Sequence, residues 1–154
     1  MNDMAMNDMV ADIAEKLRNA GLRPTKQRVL LASLLFKGGD MHFTAESLYE
    51  QCRAPSKLQS FHSKDEKTLS LATVYNNLHQ FLQAGIIRQV PVEGKLGYFD
   101  TNVTHHHHFF YEEEGRLQDI PAEEIAFLKL PNPPAGQHIH DVEILIRLKA
   151  GNIT

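Results

Sequence analysis

A change of hydrophobic period in the middle of the chain constrains its fold more than any other feature. Residues 70–84 place apolar side chains at helical spacing, with Ser70 as the N-terminal cap and Gly85 as the terminator. Residues 86–99 instead alternate apolar and polar side chains around Glu93-Gly94-Lys95, which is typical of a β-hairpin. The chain therefore predicts a helix followed at once by two antiparallel strands.

Three further helices precede this segment. They are predicted over residues 9–20, from Pro24-Thr25 to Gly38-Gly39-Asp40, and onward from the candidate N-cap Thr44. Gly21 ends the first helix, and Ser47 takes the third position of a capping arrangement with Thr44. Residues 53–67 are polar and aperiodic, which predicts a loop or insertion. Several helices followed by a hairpin is the pattern of a winged helix-turn-helix domain.

Four consecutive histidines, His105 to His108, precede Phe109-Phe110-Tyr111 and indicate a strand. Because successive strand side chains point to opposite faces, His106 and His108 should share one face and His105 and His107 the other. Imidazole is the commonest metal-binding side chain. Because the two pairs lie on opposite faces, this one segment can supply ligands to two separate metal sites.

The remaining residues predict a small α/β domain. The histidine strand should pair with a second strand through a turn at Glu113-Glu114-Gly115, followed by a short helix over 121–129 that begins at Pro121. PNPPAG reads as a loop, and residues 138–148 as a third strand. The predicted fold class is α+β, with a winged helix-turn-helix domain at 1–100 and an α/β dimerisation domain at 101–154.

Composition narrows the cellular context. Cys52 is the single cysteine, which excludes an intrachain disulfide and argues against a cysteine-built zinc site. A reducing, cytoplasmic location is expected. No apolar stretch approaches the roughly 20 residues that span a membrane, and the N-terminus lacks the basic region of a secretory signal, so no membrane partner is expected.

Charge is distributed unevenly along the chain. Basic residues outnumber acidic ones before residue 91, the reverse holds after it, and six of the nine histidines lie in the second part. This favours a half that binds a polyanion and a half that binds a cation. Two ordinary solvated surfaces would give the same distribution.

The 70–84 helix carries side chains suited to double-stranded DNA. Thr73, Asn76, Asn77 and Gln80 form an uncharged polar stripe, and such side chains hydrogen-bond base edges. Arg23, Lys26 and Arg28 could meet phosphates. A solvent-facing stripe remains the alternative.

The histidine run has carboxylates near it in sequence, at Asp100, Glu112, Glu123 and Glu124. Imidazole with carboxylate suits Fe²⁺, Mn²⁺ or Zn²⁺. Haem is also possible, since neutral imidazole serves as an axial ligand. A solvated strand is the alternative.

Five segments together resemble the ferric uptake regulator family of metal-responsive repressors. They are GLRPTKQRVLLASL (21–34), HFTAESLYE (42–50), LATVYNNLHQFLQAGII (71–87), GYFD (97–100) and HHHHFFYEEEG (105–115). The resemblance covers nearly the whole chain from about residue 10. It implies a homodimer that binds a palindromic operator through the winged helix and senses metal.

The family's functional residues map onto this sequence residue by residue. The resemblance assigns an interdomain metal site to His42, Asp100, His106 and His108. It assigns a second site to His105, His107, Glu124 (or Glu123) and His140 (or His138). It also makes Tyr75 the recognition-helix tyrosine and Arg23 a minor-groove residue.

Departures from the family pattern indicate a branch. Tyr111 and Glu114 stand where many members have a Cys-x-x-Cys zinc pair, so no cysteine-based structural zinc is expected. Asn76 replaces a frequent arginine, which would favour adenine over guanine. FDTN before the histidine cluster is similar to the iron response regulators, in which the cluster, here His105 to His108, is implicated in haem binding.

The sequence therefore predicts an iron- or haem-responsive regulator of iron and haem genes, not an enzyme, with Fe²⁺ or Mn²⁺ as ligand and Zn²⁺ able to bind in vitro. In the haem-responsive branch, haem would inactivate the protein. A peroxide or manganese sensor of the same family is the nearest alternative. A metal-dependent hydrolase would leave the recognition-helix pattern unexplained, and a storage protein would bind metal without DNA.

Overall fold

The structure is a computed structural model that describes residues 3–54 and 69–151. The chain divides into two units, residues 1–103 and 104–154. The division falls three residues beyond the boundary expected from the sequence.

Four helices build the first unit. They are α1 (Asp3–Asn19), α2 (Lys26–Phe36), α3 (Ala45–Arg53) and α4 (Leu71–Gln83). Helix α1 begins earlier than the predicted 9–20, and α4 agrees with the predicted 70–84 to within a residue at each end. Arg53, expected in a loop, ends α3. The rest of the predicted loop falls at residues 54–67, of which the structure describes only Ala54.

Side-chain caps fix where three of these helices begin. Thr25 Oγ1 accepts a hydrogen bond from the Arg28 N–H at 3.3 Å, and Ser70 Oγ accepts one from the Thr73 N–H at 3.1 Å. Thr44 and Ser47 accept reciprocally from each other's backbone N–H groups, so serine completes the capping box normally closed by Glu or Gln. The caps at Thr44 and Ser70 were predicted from the sequence, and Pro24-Thr25 was predicted to open α2.

Glycine allows the chain to leave α1. Gly21 has φ of 80°, a conformation that costs a residue with a Cβ atom roughly 1–2 kcal/mol. The Leu22 N–H then reaches the Leu17 carbonyl at 2.9 Å. The predicted end of the helix at Gly21 is confirmed.

A three-stranded antiparallel sheet completes the first unit. Its strands are β1 (His42–Thr44), β2 (Arg88–Val92) and β3 (Lys95–Asp100), in the order β1-β3-β2. The hairpin of β2 and β3 was predicted, whereas β1 was not, since it is too short to show a period. Phe43 in β1 lies opposite Phe99 in β3, and their rings stack with centroids 5.3 Å apart.

The core of the first unit lies between the helices and this sheet. Fully buried side chains come from each helix, namely Leu17, Leu31, Leu35, Leu48, Val74, Leu78 and Phe81. The apolar face predicted for residues 70–84 is thus the face that packs inward. Burial of that face orients the opposite side of α4 toward solvent.

The second unit is a three-stranded mixed sheet. Its strands are β4 (His106–Tyr111), β5 (Arg116–Pro121) and β6 (Leu145–Leu148), in the order β5-β4-β6. Strand β4 pairs antiparallel with β5 and parallel with β6. Phe110, Leu117 and Ile120 supply its buried apolar side chains.

Two elements of the second unit are shorter than predicted. The helix expected over 121–129 is a single 3₁₀ turn, Ala122–Glu124, that lacks a side-chain cap. A short helix is stable only when an apolar face packs against the rest of the protein. Phe127 and Leu128, which would form that face, are exposed. The strand expected over 138–148 covers only Leu145–Leu148, because β4 supplies pairing partners from His108 to Tyr111 alone.

The part of the chain that the structure describes contains no helix long and apolar enough to cross a membrane.

Candidate metal centre and nucleic-acid surface

His106 and His108 lie on the same face of β4, as strand alternation predicted. Their Nε2 atoms are 3.0 Å apart. Asp119 Oδ1 on β5 lies 3.1 Å from the first and 3.4 Å from the second. The two rings are almost completely buried, at 3% and 0% exposure. Three donor atoms therefore converge inside the second unit.

Asp119 is the member of this cluster that sequence reasoning missed. The β4–β5 register places it directly opposite His108. Counting outward from the predicted three-residue turn at Glu113-Glu114-Gly115 pairs residue 108 with residue 120, one residue off. The observed turn has four residues, 112–115, so Tyr111 pairs with Arg116 and His108 with Asp119. Asp119 was not among the carboxylates predicted to accompany the histidines.

Partners on the far side of each ring orient the two imidazoles. His106 Nδ1 lies 2.6 Å from the Thr104 carbonyl oxygen, which can only accept, so the ring proton sits on Nδ1. His108 Nδ1 lies 3.4 Å from Glu143 Oε1, so a carboxylate lies on the far side of this ring, at ion-pair distance and outside hydrogen-bond geometry. Both Nε2 atoms face Asp119. Metal-binding histidines are commonly oriented in this way by a carbonyl or carboxylate.

The cluster fits a small cation. Two ligands about 2.1 Å from one ion and about 90–110° apart are themselves about 3.0–3.4 Å apart, which is the spacing observed here. Two lone pairs and a carboxylate oxygen repel one another when buried together, and a cation between them relieves that repulsion. With nitrogen and oxygen donors and no thiolate, the set suits Fe²⁺, Mn²⁺ or Zn²⁺.

A second imidazole–carboxylate pair lies in the first unit. His42 on β1 is opposite Asp100 on β3, and His42 Nε2 is 3.2 Å from Asp100 Oδ2. Asp100 is fully buried, and its Oδ1 accepts a hydrogen bond from the Asn102 N–H at 2.8 Å. The unpredicted strand β1 is what brings the pair together.

The second predicted metal site is assembled only in part. His105 and His107 do lie together, with ring centroids 5.1 Å apart. The carboxylate beside His105 Nδ1 is Asp141, at 2.9 Å, rather than Glu124. Among the described residues, no cluster of three candidate ligands forms around His105 and His107, and Glu123, Glu124, His138 and His140 are all exposed.

His107 is arranged as a structural imidazole. Its Nδ1 accepts a hydrogen bond from the Ile144 N–H at 3.1 Å, at the point where the chain approaches β6. Burial, and then the neighbouring His105, lower the pKa of its ring. The neutral ring therefore carries its proton on Nε2, which leaves neither nitrogen lone pair available to an ion.

Burial also bears on the haem prediction. His106, His107 and His108 are buried, whereas the side chain of His105 is half exposed. A small ion can enter such a cluster, but a macrocycle needs an open face. Of the four haem candidates, only His105 presents its ring to solvent.

The DNA-facing stripe predicted on α4 is narrower in the structure. Tyr75 and Asn76 are exposed, and Thr73 and Gln80 are half-buried. Asn77 is only 9% exposed, and its Nδ2 donates to the Thr73 carbonyl at 2.9 Å. Asn77 therefore supports its own helix rather than the exposed stripe, because helical spacing turns it toward the core beside Val74 and Leu78.

Arg23 is exposed, as a phosphate-contacting residue should be, and its carbonyl accepts a hydrogen bond from Arg28 Nη1 at 2.9 Å.

Cys52 is buried in the core of the same unit, and burial raises the pKa of its thiol to about 11.

A winged helix-turn-helix unit joined to a histidine–carboxylate unit defines a metal-responsive transcription regulator. The sequence profile of the ferric uptake regulator family matches residues 19–146, and the chain belongs to that family. Its members are transcription regulators rather than enzymes, and they bind DNA and metal ions and assemble as dimers.

Named relatives in two organisms are similar over most of the chain. The peroxide-responsive repressor PerR of Staphylococcus saprophyticus is 28% identical over 133 residues, which cover 86% of this chain and 80% of the relative. PerR of Staphylococcus aureus is 28% identical over 128 residues, covering 83% and 76%. Both are named peroxide-responsive repressors, not iron response regulators.

Solved structures share the fold. The ferric uptake regulator of Vibrio cholerae has a TM-score of 0.60 and 24% identity, covering 89% of this chain and 98% of its own. That of Francisella tularensis, with iron, has a TM-score of 0.60 and 22% identity, covering 84% and 92%. A zinc-bound manganese uptake regulator has a TM-score of 0.57 and 20% identity, covering 90% and 98%. The predicted α+β fold class, with its winged helix-turn-helix domain, is confirmed.

Proposed function

We propose that the chain is a DNA-binding repressor whose operator affinity depends on a divalent ion, Fe²⁺ or Mn²⁺. The ion is held by His106, His108 and Asp119 of the second unit. The observation that carries the proposal is the convergence of two Nε2 atoms and one carboxylate oxygen at 3.0–3.4 Å in a buried setting.

His42 and Asp100 complete the coordination in this proposal. They offer the same donor types at a matching spacing of 3.2 Å, and only five residues separate Asp100 from His106 in the sequence. An ion with ligands from both units would bias the placement of the DNA-binding unit, which is how ion and operator become thermodynamically coupled. Solved relatives contain iron, manganese or zinc, in keeping with such a donor set.

Operator contact is proposed through α4 and Arg23. Tyr75, Asn76, Thr73 and Gln80 face the major groove, and the hairpin of β2 and β3 and Arg23 contact backbone or minor groove. A homodimer on a palindromic operator would repeat this contact twice. Exposed apolar side chains in the second unit, namely Phe127, Leu128, Leu130, Ile139 and Ile146, support burial against a second copy.

An anaerobic titration tests this function. Operator fragments are first selected from a randomised duplex library, and their affinity is measured with and without Fe²⁺ or Mn²⁺. We expect affinity to change with metal in the wild type and in His138→Ala, an exposed histidine outside the cluster, but not in His106→Ala. Operator affinity that metal leaves unchanged in the wild type would refute the sensor proposal.

Peroxide sensing is the second candidate, favoured by the relatives named peroxide-responsive repressors. Fe²⁺ bound by imidazoles would supply the reductant for hydrogen peroxide, and the oxidant formed would attack a neighbouring imidazole. Exposure of the Fe²⁺ form to hydrogen peroxide should then add oxygen to His42 or His106, detectable by mass spectrometry, and release the operator. The Mn²⁺ form should resist the same treatment.

Haem is the third candidate signal, and it is the one implied by the resemblance to the iron response regulators. An absorption spectrum with haem, repeated after substitution of His105 to His108, distinguishes it from ion sensing. A Soret shift lost with the four substitutions would support haem. The burial of three of the four rings favours the ion.

A further inference from the structure

Two side chains of the recognition helix α4 are engaged by residues from other helices. The Arg28 guanidinium on α2 donates through Nη2 to Gln80 Oε1. The Tyr75 hydroxyl donates to Glu46 Oε1 on α3 at 2.5 Å. Both contacts involve polar groups of the proposed base-reading surface.

The functional groups themselves determine which partner is the donor in each of the two hydrogen bonds. Guanidinium has donors only, so Gln80 must present its carbonyl oxygen to Arg28 and is left with its NH₂ group. A carboxylate has acceptors only, so the Tyr75 hydroxyl must donate and is left with its oxygen lone pairs. The Tyr75 hydroxyl has therefore used its one donor, and the Gln80 carbonyl oxygen has used one of its two lone pairs and faces Arg28.

These hydrogen bonds change which bases can be read. Glutamine recognises adenine by a bidentate pair that needs both its oxygen and its NH₂ group. With its carbonyl oxygen turned to Arg28, Gln80 offers chiefly its NH₂ group, which suits acceptors such as guanine N7 and O6 or thymine O4. Held by Glu46, Tyr75 can only accept, which suits the amino groups of cytosine or adenine.

A second hydrogen bond holds the Arg28 guanidinium, and the Tyr75 hydroxyl lies beside a glycine. Arg28 Nη1 also donates to the Arg23 carbonyl at 2.9 Å, so the guanidinium bridges two acceptors. The Tyr75 hydroxyl lies beside Gly97 on β3, where a Cβ atom would come within 4.0 Å of it. Gly97 has φ of 91°, a backbone that strongly favours glycine. Tyr75 is nevertheless 39% exposed.

We infer that Arg28 and Glu46 are positioning residues that set the sequence preference of α4 by fixing Gln80 as a donor and Tyr75 as an acceptor. The inference rests on the proposed DNA-binding function. It names two residues outside the recognition helix that decide which bases the helix prefers.

Selection from a randomised duplex library, with full-length protein and sequencing of bound DNA, tests the inference. Arg28→Met frees the Gln80 carbonyl, so we expect enrichment of adenine at one base pair by about tenfold. Glu46→Ala frees the Tyr75 hydroxyl to donate, so preference should change at another base pair.

Double variants separate positioning from general electrostatics. Arg28→Met should not alter base preference in a Gln80→Ala background, nor Glu46→Ala in a Tyr75→Phe background. Changes in affinity that are uniform across sequences report phosphate contacts instead. Unchanged preference in both single variants, or equal shifts in the double backgrounds, overturns the inference while the proposed function stands. A wild type that enriches no sequence overturns both.

Discussion

At the scale of single residues, the proposed metal centre depends on one carboxylate, Asp119, that was not predicted from the sequence. Asp119 reaches both Nε2 atoms, whereas Glu112 and Glu114, nearer in sequence to the histidines, bond to Arg147 and Arg116. Asp119→Asn should weaken Mn²⁺ binding at least about tenfold, the lower end of what even outer-shell changes cost. Isothermal titration calorimetry measures the effect. Asp141→Asn, beside His105, is the matched control and should bind Mn²⁺ normally.

The Tyr75 hydroxyl offers a second residue-scale prediction. Its hydrogen bond to Glu46, followed by partial burial and the Glu46 charge, raises the pKa of the phenol. Glu46→Gln removes the charge, so the pKa should fall toward the ordinary value of about 10. Alkaline ultraviolet difference spectra, with the Tyr75→Phe counterpart subtracted, isolate this tyrosine. A phenol that ionises at the same pH in both proteins would contradict the assigned bond.

At the scale of elements, the cap of α3 also supports strand β1. Thr44 ends the strand and caps the helix through Ser47. Thr44→Ala should lower the free energy of unfolding by about 1 kcal/mol, measured by urea denaturation. Thr104→Ala, whose site lies outside the helices and strands, serves as a comparison. Equal stability of Thr44→Ala and wild type would mean that the box contributes nothing measurable.

At the scale of the whole molecule, side-chain contacts support the hairpin of the second unit, whose residues 104–154 include no cysteine. Arg116 bonds to Glu114 and lies 3.5 Å from the Tyr111 ring centroid, and Tyr111 donates to Gln118 at 2.7 Å. We expect chelation by EDTA to leave the far-ultraviolet circular dichroism unchanged while altering operator affinity. Loss of secondary structure on chelation would show that an ion is needed for folding.

Local periodicity was enough to predict much of this protein. The period of 3.6 over 70–84 and the period of 2 that follows it depend on neighbours in sequence, as do the caps at Thr25, Thr44 and Ser70. Strand alternation likewise separated His106 and His108 from His105 and His107. These features depend mainly on residues close together in sequence, which is why they could be predicted without knowledge of distant contacts.

Tertiary structure decided what depends on residues far apart in sequence. Strand register placed Asp119 opposite His108 and His42 opposite Asp100. Packing buried Asn77 and left 125–130 without a helix, since neither outcome follows from local propensity. The sequence by itself determined the types of donor atoms and the order of the elements other than β1. Only the pairing of strands and the packing of helices decided which donors meet.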